Sequence, residues 1–170
     1  MSPYNNNDYK NINFNFSLFD KYKDIKDVPM EELVKTIESV AKELKNITTN
    51  QVRNVFGSIS TIRESFKQIR KPIFNLNDKQ SNDNIEMEVY NQYIDRFVDI
   101  NRSLILLKPS LSYIVGKAPK NAYRDLNNFK DFMISIIDKV NFKSWKSIDT
   151  FFVIVESFVA FHKFHEPKKN

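Results

Sequence analysis

Apolar residues recur along this chain at spacings of three and four, and each such run reads as one face of an amphipathic helix. The clearest is Val52, Val55, Phe56, Ile59, Ile62, Phe66 and Ile69, which predicts a long helix within Ile47 to Lys71. Thr48 and Thr49 precede it as capping residues, because a hydroxyl there satisfies amides that the first turn leaves unbonded. Pro72 is expected to stop it. Upstream, Asp27 as cap, Pro29 in the first turn, and Glu31 and Glu32 near the positive dipole end mark an earlier helix start. Leu33, Ile37, Val40, Ala41 and Leu44 give that helix its apolar face, and it should end near Asn46.

Residues 72–84 combine Pro, Asn, Asp and Ser without a period, the composition of a surface loop. A further helix is predicted from about Ile85 to Leu107, with Met87, Tyr90, Ile94, Phe97, Val98, Ile100, Leu104 and Ile105 buried. Pro109 should end or bend it, and Leu111 to Val115 should form a short turn of helix closed by Gly116 as a C-cap. Pro119 restarts the chain, and residues 120–140 repeat the pattern through Tyr123, Leu126, Phe129, Phe132, Met133, Ile136 and Ile137. From Phe142 to about His165 the chain is apolar nearly all round, so that helix must be enclosed by others or by a partner chain. Residues 1–27 are rich in Asn, Tyr, Phe and Lys and have no clear period. They read as a mobile N-terminal arm, of which Phe14, Phe16, Leu18 and Phe19 can dock on the body. Residues 28–166 then form the helical domain and 167–170 a tail.

Composition narrows the class. A chain of 170 residues suits one domain with a real core. Only two glycines and six prolines are present, too few turn residues for a β-rich or α/β fold of this size. The expectation is all-α: a compact bundle of five or six helices, packed through its 15 Phe and seven Tyr. With no cysteine, disulfides, thiol catalysis and cysteine-based zinc sites are excluded. There is no apolar run of about 18 residues and no basic-then-apolar N-terminus, so neither a membrane span nor a secretory signal is expected, and the cytoplasm is the default location. Lys and Arg number 26 against 21 Asp and Glu, an excess compatible with nucleic acid and also common in ordinary soluble proteins.

Candidate chemistry is sparse. His162 and His165 lie one turn apart with Glu166 adjacent, but a third ligand at helical spacing is absent unless Glu166 or a second chain supplies it, so no metal is expected. No phosphate-cradling glycine loop, nucleophile elbow or HExxH motif occurs, so neither an enzyme nor a cofactor is expected. Trp145 reads as a core or interface anchor. On the long helix, Arg53, Gly57, Ser60, Glu64, Lys67 and Lys71 share one stripe beside the apolar face. Long cations at both ends with small residues between them would let a phosphate backbone lie close, although such a flank is most often merely solvated.

Three blocks then point to a family: ITTNQVRNVF near residue 50, LLKPSLSYIVGK at 106–117, and FFVIVESFVAFHKFHE at 151–166. In order and spacing they resemble the small subunit of type III-A CRISPR effector complexes. The family pattern is T-T-x-Q-x-R, then L-K-P-x-x-x-Y-x-x-G-[RK], then E-x-x-V-A-[YF]-x-K. The likeness covers roughly residues 33–166 and leaves the N-terminal arm outside. Lys117 stands where the family often has Arg, which keeps the charge and loses bidentate geometry.

The resemblance implies a non-catalytic RNA-binding subunit. Copies of the chain would line up beside the backbone and large subunits of the effector, contacting the duplex of CRISPR RNA and target RNA through its sugar-phosphate backbone. Base pairing would carry the sequence information. Arg53 and Lys67 lead the candidate contacts, supported by Lys45, Arg63 and Lys71. Thr49, Asn50 and Gln51 join them at a helix start whose amides suit phosphate. Lys108, Lys117, Lys120 and Arg124 form a second cluster around Pro109 and Pro119. Tyr113 reads as a packed aromatic with its hydroxyl at the rim, or as a surface for a base to stack on. The competing reading is a helical adaptor that packs protein partners, with only incidental RNA contact.

Overall fold

The computed structural model describes residues 17–74 and 83–166. Within them the chain forms α1 (Ser17–Asp20), a 3-10 turn (Ile25–Asp27), α2 (Met30–Glu43), α3 (Thr49–Phe74), α4 (Asp83–Gln92), α5 (Ile94–Gly116), α6 (Lys120–Ile137) and α7 (Trp145–His165). Every described element is helical. The all-α bundle stands, with seven α-helices where the pattern suggested five or six.

The added elements have local causes. Leu18 and Phe19 are buried, with the Phe19 ring 6.4 Å from Phe132, so the chain from Ser17 onward packs on the body. Phe14 and Phe16 lie outside the described residues, as do positions 75–82 of the expected loop and the tail at 167–170. Asp24, not Asp27, provides a cap: its carboxylate accepts from the Lys26 amide at 3.0 Å and sets the 3-10 turn. Asp27 ends that turn, and the residue that caps α2 is Pro29.

The predicted run into Leu107 is two helices, broken at Tyr93. Phe97, Ile100, Leu104, Leu107, Leu111 and Val115 define the buried face of α5. Ile94, Val98 and Ile105 fall off that line and are exposed, as is Met87 on α4. Neither proline stops its helix. α3 continues through Pro72 to Phe74, and α5 through Pro109 to Gly116. Proline removes one amide donor, but its fixed φ is helical, and Leu107 and Leu111, buried on either side of Pro109, hold the axis across it. Gly116 is therefore the last helical residue rather than a C-cap, and it has no positive φ. Tyr123, expected inside, is exposed on α6.

α7 is the hub. Ser144 caps it by accepting from the Ser147 amide at 3.2 Å, which starts the helix at Trp145 rather than Phe142. Phe158 is buried with ring neighbours Phe129 at 5.4 Å, Phe132 at 5.5 Å and Phe56 at 6.4 Å. Trp145 is buried, as an anchor should be.

Two antiparallel pairings fix what lies where. α3 meets α5 with Arg96 donating to Gln68 at 2.9 Å near one end, while Asn54 and Ser58 face Pro109 and Tyr113 near the other. α3 meets α7 through Arg70–Asp149 (3.3 Å), Phe66–Phe152 (5.5 Å), Arg63–Glu156 and Phe56–Phe158. His162 closes the set, with Nε2 at 3.1 Å from the Leu44 carbonyl. The end of α2, the start of α3, the end of α5, the start of α6 and the end of α7 therefore share one end of the bundle.

Candidate nucleic-acid interface

That shared end collects residues which the sequence placed in two separate clusters. α3 starts there because Gln51 folds back, its Oε1 accepting from the Thr48 amide at 2.7 Å, one half of a capping box. Gln51 is thereby half-buried and occupied by the cap, while Asn50 and Arg53 stand exposed on the first turn. The Thr49 side chain lies outside the described positions. Lys45, just past α2, is exposed. Across the α5–α6 corner, Lys117, Lys120 and Arg124 are exposed as well.

Their electrostatic settings differ. Arg124 Nε lies 3.1 Å from Asp125, which is itself buried, so part of its charge is spent within the fold. The Lys117 ammonium sits 4.5 Å above the Tyr113 ring, a cation–π contact that leaves its charge uncancelled. Lys45, Arg53 and Lys117 form no ion pair with an acid among the described residues. A cation held by no carboxylate keeps its full attraction for phosphate.

The other candidate cations behave otherwise. Arg63 is engaged by Glu156 on α7, Lys67 by Glu64 at 2.6 Å, and Lys108 by Asp138. Arg63, Lys67 and Lys108 are also only partly exposed. The Lys71 side chain lies outside the described positions. The structure thus brings together Lys45, Asn50, Arg53, Lys117, Lys120 and Arg124, and leaves Arg63, Lys67 and Lys108 committed to carboxylates.

Arg53 has a second neighbourhood. It stands at the lip of a groove of about 570 Å3 between α3 and α7, floored by Phe56, Ile59, Phe152, Val155 and Val159. Val159 is 41% exposed on this side. α7 is therefore enclosed along most of its length and open on this side.

Two further residues border this end. Tyr113, read as a packed aromatic or as a surface for a base to stack on, is 61% exposed. It lies off the line through Leu104, Leu107, Leu111 and Val115, which was the available signal. Asn54 carried no signal at all; its side chain makes no hydrogen bond among the described residues and borders a cleft. Among the described residues no group of three or more His, Cys, Asp or Glu can hold a metal ion. His162 is buried against Leu44, and His165 Nε2 lies 3.9 Å from Glu38. No described helix is long and apolar enough to cross a membrane.

Against known proteins, the model of one family, Csm2 Type III-A, matches residues 27–168. No curated protein and no solved structure matches the chain.

Proposed function

The chain belongs to the Csm2 type III-A family and is a subunit of a type III-A CRISPR effector complex; from that premise we propose that it is a non-catalytic RNA-contacting subunit, working in the cytoplasm. It holds the duplex of CRISPR RNA and target RNA by the sugar-phosphate backbone. The observation that carries this reading is the acid-free cations at one end of the bundle, Lys45, Arg53 and Lys117, next to the N-terminal turn of α3. Flexible ammonium and guanidinium groups on exposed helix ends reach phosphates of any sequence, and the amides of a helix start add to the same attraction. The deep, narrow major groove of A-form RNA hides base edges, so contacts of this kind read shape and charge.

The test is RNA affinity across several salt concentrations for wild type and for Lys45→Ala/Arg53→Ala/Lys117→Ala. Phosphate contacts release counterions, so the triple variant should bind all RNA sequences more weakly and show a flatter dependence of log affinity on log salt. Unchanged affinity and slope would remove this end from the RNA path.

A second reading has its own observation. The groove between α3 and α7 has an apolar floor beneath the Arg53 rim, and that floor suits a protein surface, whether of another effector subunit or of a further copy of this chain. If the triple variant binds RNA normally but Val159→Asp fails to enter the complex, the adaptor role is the correct one.

A further inference from the structure

Between the start of α3 and the end of α5 lies a cleft of about 430 Å3, walled by Asn54, Val55 and Ser58 on one side and Pro109, Tyr113 and Ile114 on the other. Its chemistry is layered. Val55 is buried and Ile114 half-buried, so the bottom is apolar. The rim is polar: the Asn54 amide, and the hydroxyls of Ser58 and Ser110. Each hydroxyl already donates to a carbonyl one turn back, Ser58 to Asn54 and Ser110 to Leu106, both at 3.0 Å. Their oxygens are left to accept. The Asn54 side chain, with both a donor and an acceptor, is uncommitted among the described residues.

One wall is a ring left 61% exposed, an arrangement that folding alone does not reward. The cation at 4.5 Å above it belongs to Lys117. A group that fits is flat, apolar on its faces and polar at its edge, and is attached to an anion. A nucleobase on its sugar-phosphate has these properties. Its face would stack on Tyr113, its edge would meet Asn54 and the two hydroxyl oxygens, and its phosphate would lie on the Lys117 side. Asparagine pairs with adenine through N6 and N7, and hydroxyl oxygens that only accept favour an exocyclic amino donor. Bases inside a duplex have their faces stacked and their edges paired, so only an unpaired base can enter.

We propose that the Tyr113–Asn54 cleft takes one unpaired base, adenine in preference, from the bound RNA. The inference rests on the RNA reading above and adds a base contact to what is otherwise backbone recognition.

The experiment compares two RNA probes by fluorescence anisotropy with the full chain: a fully paired duplex and the same duplex carrying one unpaired adenosine. The unpaired adenosine should tighten binding about tenfold, within the range of one base–aromatic stack. Tyr113→Ala should abolish that gain while leaving the paired duplex unchanged, and Tyr113→Phe should retain it. Asn54→Ala should reduce the preference for adenosine over an unpaired uridine. Equal wild-type affinity for both probes, with the paired duplex bound, overturns the cleft and leaves backbone recognition standing. If the paired duplex is not bound, oligoadenylate decides. Binding that depends on Tyr113 then upholds the cleft without the duplex, and no binding of either RNA overturns both readings.

Discussion

The α7-facing flank of α3 and the end where α3 begins carry the same residue types and do opposite things with them. Along the flank Arg63 has Glu156, Lys67 has Glu64 and Arg70 has Asp149. At the end, Lys45 and Arg53 have none among the described residues, and Lys117 has only an aromatic ring. A paired cation is part of the scaffold, and its field is largely cancelled a few ångströms out. An unpaired one is available to a partner. What a cation on this bundle can offer a partner therefore depends on the acids packed around it, from its own helix, as Glu64, or from another, as Glu156.

The scaffold is most sensitive at its ring cluster. Phe158 is 2% exposed and touches Phe56, Phe129 and Phe132. Phe158→Ala should cost about 3–5 kcal/mol, because lost burial is compounded by the cavity left behind. Denaturant melts followed by circular dichroism would measure it. A loss under about 1 kcal/mol would mean that α7 is not the hub described above.

The unpaired end should respond in the other observable. Lys45→Ala/Arg53→Ala/Lys117→Ala should flatten the salt dependence of RNA binding by about 2 to 3 in slope, roughly 0.7–0.9 for each phosphate that is no longer neutralised. Its folding stability should move by no more than about 0.5 kcal/mol, since these side chains are exposed and hold nothing inside the fold. A variant that loses stability along with RNA affinity would erase the contrast.

Much of the scaffold could be read in advance, and the reason is periodicity. The faces of α2 and α6 and the line from Val52 to Ile69 repeat at helical spacing, so burial follows the pattern, with Phe56 half-buried and Tyr123 exposed as exceptions. The break at Tyr93 was not readable, because apolar residues continue on both sides of it; Met87, Ile94, Val98 and Ile105 were placed inside for that reason. Pro72 and Pro109 looked like stops because local rules weigh the lost amide, while neighbouring burial carried the helix on. The site was less readable still. Arg53 and Arg63 look alike in the chain, and only the packing of α7 beside α3 gives Arg63 its Glu156.

Lys67 tests the paired flank. Lys67→Ala breaks an exposed ion pair with Glu64 three residues away, so stability should change by about 0.5 kcal/mol or less. Its RNA affinity should stay within about twofold of wild type, the effect expected of a charge already cancelled. An effect on the salt slope equal to that of Arg53→Ala would show that RNA displaces Glu64, and the division drawn between flank and end would fail.

A pH-dependent effect belongs to the pairing of Lys26, which ties the 3-10 turn to α4. Its ammonium lies 3.0 Å from Glu86 Oε2, 4.0 Å from Asp24 Oδ2 and 3.4 Å from the Ser144 hydroxyl. Burial pulls its pKa down, but the Glu86 hydrogen bond and the charges of Glu86, Asp24 and Asp27 outweigh this and raise it above the ordinary 10.5. The folded chain thus holds this proton more tightly than the unfolded one. The stability so gained is fully present below pH 10.5 and is lost as pH rises through the higher folded value. Because the side chain is partly open to solvent, the amount should stay below about 1 kcal/mol. Urea melts at pH 7 and at alkaline pH, for wild type and Lys26→Met, separate this term from the titration of the other lysines: the gap between the two proteins should narrow as pH rises above 10.5. A gap that stays constant across that range would mean that Lys26 contributes by packing its methylenes alone, and that its carboxylate partners do not hold the turn on α4.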